Sequence, residues 1–123
     1  MRLTLCEFPD ESANKARAWD ELVDHCVTRR SDIVVLPEMP FSDWRIFMAD
    51  HVDDDAWRQT CTAHDEAMAK FSELGVQTVL SSRPVTRDGG RFNQAFSWTP
   101  EDGYAGGHCK CYLPDEPDGR EST

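Results

Sequence analysis

Residues 32–42 read DIVVLPEMPFS. Four apolar residues in succession leave a strand no face for water, the pattern of a strand covered on both sides. Pro37 cannot continue a β-ladder, so the strand stops there and Glu38 falls just beyond its carboxyl end. That is where open α/β sheets place their sites. Pro37, Met39 and Phe41 flank the glutamate, and the expectation is a partly desolvated carboxylate suited to general-base work. A solvated loop glutamate is the competing reading.

Outward from this strand the periodicity alternates. Upstream, residues 2–8 (RLTLCEF) form a short strand pattern ended by Pro9. Trp19, Leu22, Val23, Cys26 and Val27 then follow the i, i+3, i+4, i+7 rule of one buried helix face. Downstream, the acids of VDDDAW suit a helix N-terminus. Trp57, Cys61, His64, Met68 and Phe71 continue as its apolar stripe, and Gly75 supplies the stop. Residues 76–82 (VQTVLSS) read as a third strand. RFNQAFSW and YAGGHCKCYL are two more, with turn signals in TRDGG and TPEDG. The order β-α-β-α-β-β-β predicts an α/β fold with a mixed sheet.

The chain has 123 residues, enough for one domain with one core. Its net charge is −10 and its pI near 4.7. That balance argues against nucleic acid or an anionic membrane as partner, since both require clustered positive charge. No run approaches the ~18 apolar residues of a membrane span. The opening MRLTLCEFPD holds no signal-peptide stretch, and the five cysteines of the whole chain read as reduced thiols of a cytoplasmic protein.

Near the C-terminus, GGHCKCYLP places Lys110 between Cys109 and Cys111. Strand alternation points it to the face opposite both cysteines. An inward lysine near a carboxylate could stabilise a developing oxyanion, whereas an outward one would decorate an edge strand. His108, Cys109 and Cys111 form one C-x-C with a histidine, which lacks the spaced ligand pairs of structural zinc sites. His64, on a helical stripe, reads as a packed core residue rather than a ligand.

Taken together, DIVVLPEMPFS, FNQAFSWTPEDGYAGGHCKCYLPDEP and the final GRE resemble the carbon–nitrogen hydrolase family of nitrilases and aliphatic amidases. The resemblance implies an N-terminal half of an αββα four-layer sandwich, a mixed sheet with two helices on one face and an apolar, uncovered opposite face. It implies that residues 1–123 are a partial domain, cut before the nucleophilic cysteine segment. Glu38 matches the family's general base and Lys110 its oxyanion-stabilising lysine, so the two are expected to approach each other. Glu121 stands where a supporting glutamate often lies. Cys109 replaces the arginine that commonly precedes the lysine.

The implied chemistry is hydrolysis of a small amide, N-carbamoyl compound or nitrile, without metal or other cofactor. A thiolate would attack, the glutamate would move its proton, and the lysine would hold the oxyanion. Further partners implied are a second copy of the chain or a complementing C-terminal half. Two other readings stand beside this one: a non-catalytic half-domain binding a small ligand or partner chain, and a thiol metal-binding module.

Overall fold

The computed structural model describes residues 1–44 and 52–111. Five strands form one sheet in the order β1-β2-β3-β4-β5: β1 is Leu3–Leu5, β2 Ile33–Val35, β3 Thr78–Arg87, β4 Gly90–Thr99 and β5 Gly103–Cys111. The first three run parallel and the last two add as antiparallel hairpins. Helix α1 (Lys15–Arg29) joins β1 to β2, and α2 (Asp54–Met68) lies between β2 and β3.

Both helices lie on the same face for a topological reason. The two parallel crossovers step across the sheet in the same direction, and right-handed crossovers that do so cover the same side. Trp19, Leu22 and Cys26 of α1, Ala67 of α2 and Phe71 of the following 3₁₀ turn pack there against Val34, Val79 and Phe96. Phe71 is fully buried. Its ring lies 6.0 Å from Trp19, 6.1 Å from Phe96 and 5.6 Å from Trp98.

On the opposite face no described element covers the apolar patch of β1, β2 and the start of β3. At the far end of β3 and β4 the loop after β2 and the start of α2 do reach that face: Ser82 Oγ accepts from Met39 N–H, Thr86 Oγ1 from Trp57, and Arg91 donates to Val52 O and Asp54. Register aligns Leu5, Val35 and Leu80 across the patch, with Leu3 and Ile33 beside them. Leu3 is 58 % and Leu5 74 % exposed. This corrects one expectation. IVVL reads as a strand buried on both sides, yet Ile33 and Val35 are only half-buried while Val34 and Leu36 are buried. The second apolar face is written into the strand, but no described layer of this chain meets it.

Local chemistry sets the ends of the elements. Asp53 caps α2 by accepting the Ala56 N–H at 2.7 Å, and Asp54 and Asp55 occupy its first turn. Helix α1 ends on Arg30 with φ 54°, a left-handed cap occupied by a non-glycine residue. Asp88 and Gly89, at φ 51° and 77°, form the two-residue turn between β3 and β4, the mirror-image type that matches strand twist. Pro84 sits inside β3, where β2 has already ended beside Leu80, so no ladder bond to β2 is lost. No described helix is long and apolar enough to cross a membrane.

Candidate functional site

The chain from Pro37 to Ser42 leaves the end of β2 and is fastened at nearly every residue. Ser81 Oγ donates to Pro37 O at 2.9 Å, and Met39 N–H donates to Ser82 Oγ at 3.2 Å. Lys15 Nζ donates to Pro40 O at 2.7 Å. Phe41 N–H donates to His64 Nε2 at 3.2 Å. Ser42 N–H returns to Met39 O at 3.2 Å, while its hydroxyl pairs with that of Thr60. Met39 is held at φ 40°, a left-handed conformation that costs a non-glycine residue about 1–3 kcal/mol and persists only where its surroundings fix it.

Of these six residues, only Glu38 is exposed. This corrects the expectation of a desolvated carboxylate: Met39 is buried and Phe41 packs on the rings of Trp19, His64 and Phe71, while Glu38 itself stays exposed. Its Oε1 accepts from Asn93 Nδ2 on β4 at 2.7 Å. Asn93 in turn pairs directly with Lys110 on β5, and cross-strand partners project from the same face. The structure therefore gathers Glu38, Asn93 and Lys110 on the sheet face opposite the aromatic core, beyond the carboxyl end of β2. Glu121 and the side chain of Cys111 lie outside the described residues.

An irregularity in β5 sets which face Lys110 takes. Phe96 pairs with Gly106, but Gln94 pairs with Cys109, so two residues of β5 oppose Ala95. Strict alternation from Tyr104, whose ring contacts Phe96 on the helix side, would send Lys110 to that side too. The extra residue restores it to the opposite face, beside Asn93. Glycine serves here because a Cβ on Gly107 would lie 3.3 Å from the Ala95 carbonyl oxygen. The consecutive glycines 106 and 107 were the available sequence signal for this bulge.

The described cysteines lie on the helix side. Cys26 belongs to the core and Cys6 packs against it. Cys61 is on α2, and Cys109 Sγ sits 3.2 Å from an Arg87 guanidinium nitrogen. Burial pushes the Cys6 thiol up to about 11 and raises Cys26 and Cys61 as well, which keeps these thiols protonated and inert. Cys109 faces away from Lys110, as alternation requires. Among the described residues no three His, Cys, Asp or Glu side chains gather as a metal site would need.

His64 is a core residue with a specific task. It is buried, and its Nδ1 lies 2.7 Å from Thr60 O. A carbonyl accepts only, so Nδ1 carries the proton and Nε2 is free to accept from Phe41. Burial lowers its pKa to about 4 and keeps the ring neutral. The stripe containing His64 was legible in the sequence; its bond to the glutamate-bearing loop was not.

No protein-family model and no curated protein matches the chain. Among solved structures, the chain is similar to a glutamine-dependent NAD(+) synthetase from Cytophaga hutchinsonii, with a TM-score of 0.57 at 15 % identity. The alignment covers 86 % of this chain and 18 % of that one. The likeness is one of fold: a sheet of this kind with helices on one face occurs within a much longer enzyme.

Proposed function

We propose that residues 1–123 form part of a carbon–nitrogen hydrolase in which Glu38 is the general base and Lys110 the oxyanion stabiliser. The attacking cysteine comes from outside these residues, and Glu121 supports the lysine. The observation that supports this reading most is the convergence of Glu38 and Lys110 about Asn93 on the face opposite the aromatic core. A base and a cation at one strand end, flanked by an apolar face that needs a second layer, suit a site completed from elsewhere. The similar solved structure is of a glutamine-dependent enzyme, and the side chain of glutamine is a primary amide, one of the bond types named above.

The chemical roles follow from the groups. Glu38 takes the proton of the attacking thiol, passes it to the leaving amine and later draws one from water. The Lys110 ammonium lowers the energy of the tetrahedral oxyanion, a contribution of about 3–4 kcal/mol where one such donor has been removed. Exposure of Glu38 in this chain is consistent with a site that becomes dry only when its second layer is in place.

A second reading is favoured by one specific observation: all four described cysteines whose side chains are placed lie on the helix side, away from Glu38. On that reading the chain is a non-catalytic half-domain that binds a small ligand or partner chain. A panel of small amides, N-carbamoyl compounds and nitriles separates the two. Residues 1–123 should be silent alone and active when a family C-terminal half carrying the cysteine is joined after Thr123. Silence of the fusion, with the fold intact, favours the binding module.

A further inference from the structure

The geometry points to Asn93 as a positioning residue that spaces the two charges, its Nδ2 holding Glu38 and its Oδ1 accepting from the Lys110 ammonium. This rests on the reading of Glu38 and Lys110 as the working pair.

A carboxylate only accepts hydrogen bonds, so Asn93 must turn its NH₂ toward Glu38 Oε1, 2.7 Å away. The amide orientation is thereby fixed and Oδ1 faces the other way. That oxygen is buried and has no hydrogen-bond partner. Orphan buried acceptors are rare and costly, and each calls for a specific donor.

The donor has to come from the protein, because an atom sealed from water is equally sealed from a dissolved substrate. On one side Asn93 pairs with Pro84, which has no N–H to give. On the other it pairs with Lys110. Side chains at such a pair start roughly 5 Å apart, and a lysine stem spans that easily. Lys110 already has an interaction of its own in this structure. The bond to Asn93 Oδ1 is not made in this structure, and forming it takes a rotation of the lysine stem that brings one of the three ammonium donors to that oxygen.

The arrangement has a mechanistic use. With Oε1 engaged by Asn93, Oε2 of Glu38 is the oxygen left to take a proton. Through the same amide, the oxyanion-stabilising charge is held at a set distance from that base, so both act on one reacting centre. Asn93 touches neither substrate nor nucleophile; it acts through its two neighbours.

The test reads the Asn93 side-chain amide by ¹H–¹⁵N NMR in residues 1–123, with Glu38→Gln and Lys110→Met as probes that remove charge while keeping length. Each substitution should shift the Asn93 amide resonances, Glu38→Gln by turning the charged acceptor at Nδ2 into a neutral one and Lys110→Met by removing the donor to Oδ1. In the reverse direction, Asn93→Ala should shift the Lys110 ε-methylene signals and leave those of Lys70 in place. A Lys110→Met spectrum with an unmoved Asn93 amide, or unmoved Lys110 signals in Asn93→Ala, overturns the assignment. The second measurement keeps the test decisive if Lys110→Met does not fold. No turnover is read, so failure here leaves the hydrolase reading to its own assay.

Discussion

His64 Nε2 accepts the backbone N–H of Phe41 at 3.2 Å, a bond that ties the middle of helix α2 to the loop presenting Glu38. The ring can do this only while neutral, and burial holds its pKa at about 4 against 6.5 in the unfolded chain. Unfolding therefore takes up a proton between these values. The stability due to neutral His64 is fully present above pH 6.5 and is lost as pH falls through about 4, a swing on the order of 3 kcal/mol. Denaturant unfolding across pH 4–7 should show that acid limb. In His64→Leu the limb should flatten, with a loss of about 1–3 kcal/mol at neutral pH from the orphaned Phe41 N–H. An acid limb unchanged in the variant would assign the effect to other groups.

Arg30 closes helix α1 at φ 54°, a conformation that strains any residue with a Cβ. Replacing it with glycine removes the strain but frees the unfolded chain. The net expectation for Arg30→Gly is a gain of about 0.5–1 kcal/mol, read from the shift in denaturant midpoint at constant slope. A loss would mean that the arginine side chain contributes more than its backbone costs.

The two faces of the sheet should respond to substitution in opposite ways. Leu5 and Leu80 stand on the uncovered face, and Phe71 is at the centre of the covered one. Leu5→Lys with Leu80→Lys should change folding stability by less than about 0.5 kcal/mol each while suppressing self-association seen by light scattering. Phe71→Ala should cost about 3–5 kcal/mol. Equal destabilisation by both kinds of change would mean the exposed face is already covered in solution.

The order of the elements could be read from periodicity and turn residues, because IVVL, the Trp19 and Trp57 stripes and the DGG turn are local signals. The uncovered face was not visible in IVVL itself. Apolarity on two sides tells that a strand wants two layers, not which chain supplies the second. Glu38 stood out at the end of an apolar strand and Lys110 by its alternation with two cysteines, and motif resemblance paired the two. Their meeting point, Asn93, depends on pairing β4 with both neighbours, and single-strand patterns carry no such information. The left-handed Met39 and the His64 bond arise from tertiary fastening of the loop and left no trace in composition.

The bulge in β5 makes a sharp prediction about register. Two residues oppose Ala95, so deleting Gly107 should convert the ladder to a regular one without moving Lys110 from Asn93. Cross-strand nuclear Overhauser contacts between Asn93 and Lys110 should persist in the deletion, and amides of 109–111 should be at least as protected from exchange. If Asn93 then contacts Cys109 or Cys111 instead, the face of Lys110 is set by something other than the extra residue.

The account rests on Glu38 and Lys110 working as one unit, and the most direct measurement is the kinetics of the fused enzyme with each altered. With a C-terminal half supplying the cysteine, Glu38→Gln should lower kcat by about 10²–10⁴ and Lys110→Ala by about 10²–10³, with KM little changed. The double variant should fall far short of the product of the two losses, as groups acting together do. Turnover that survives both substitutions at the parent rate would contradict the account, since the bond would then be cleaved without either charge.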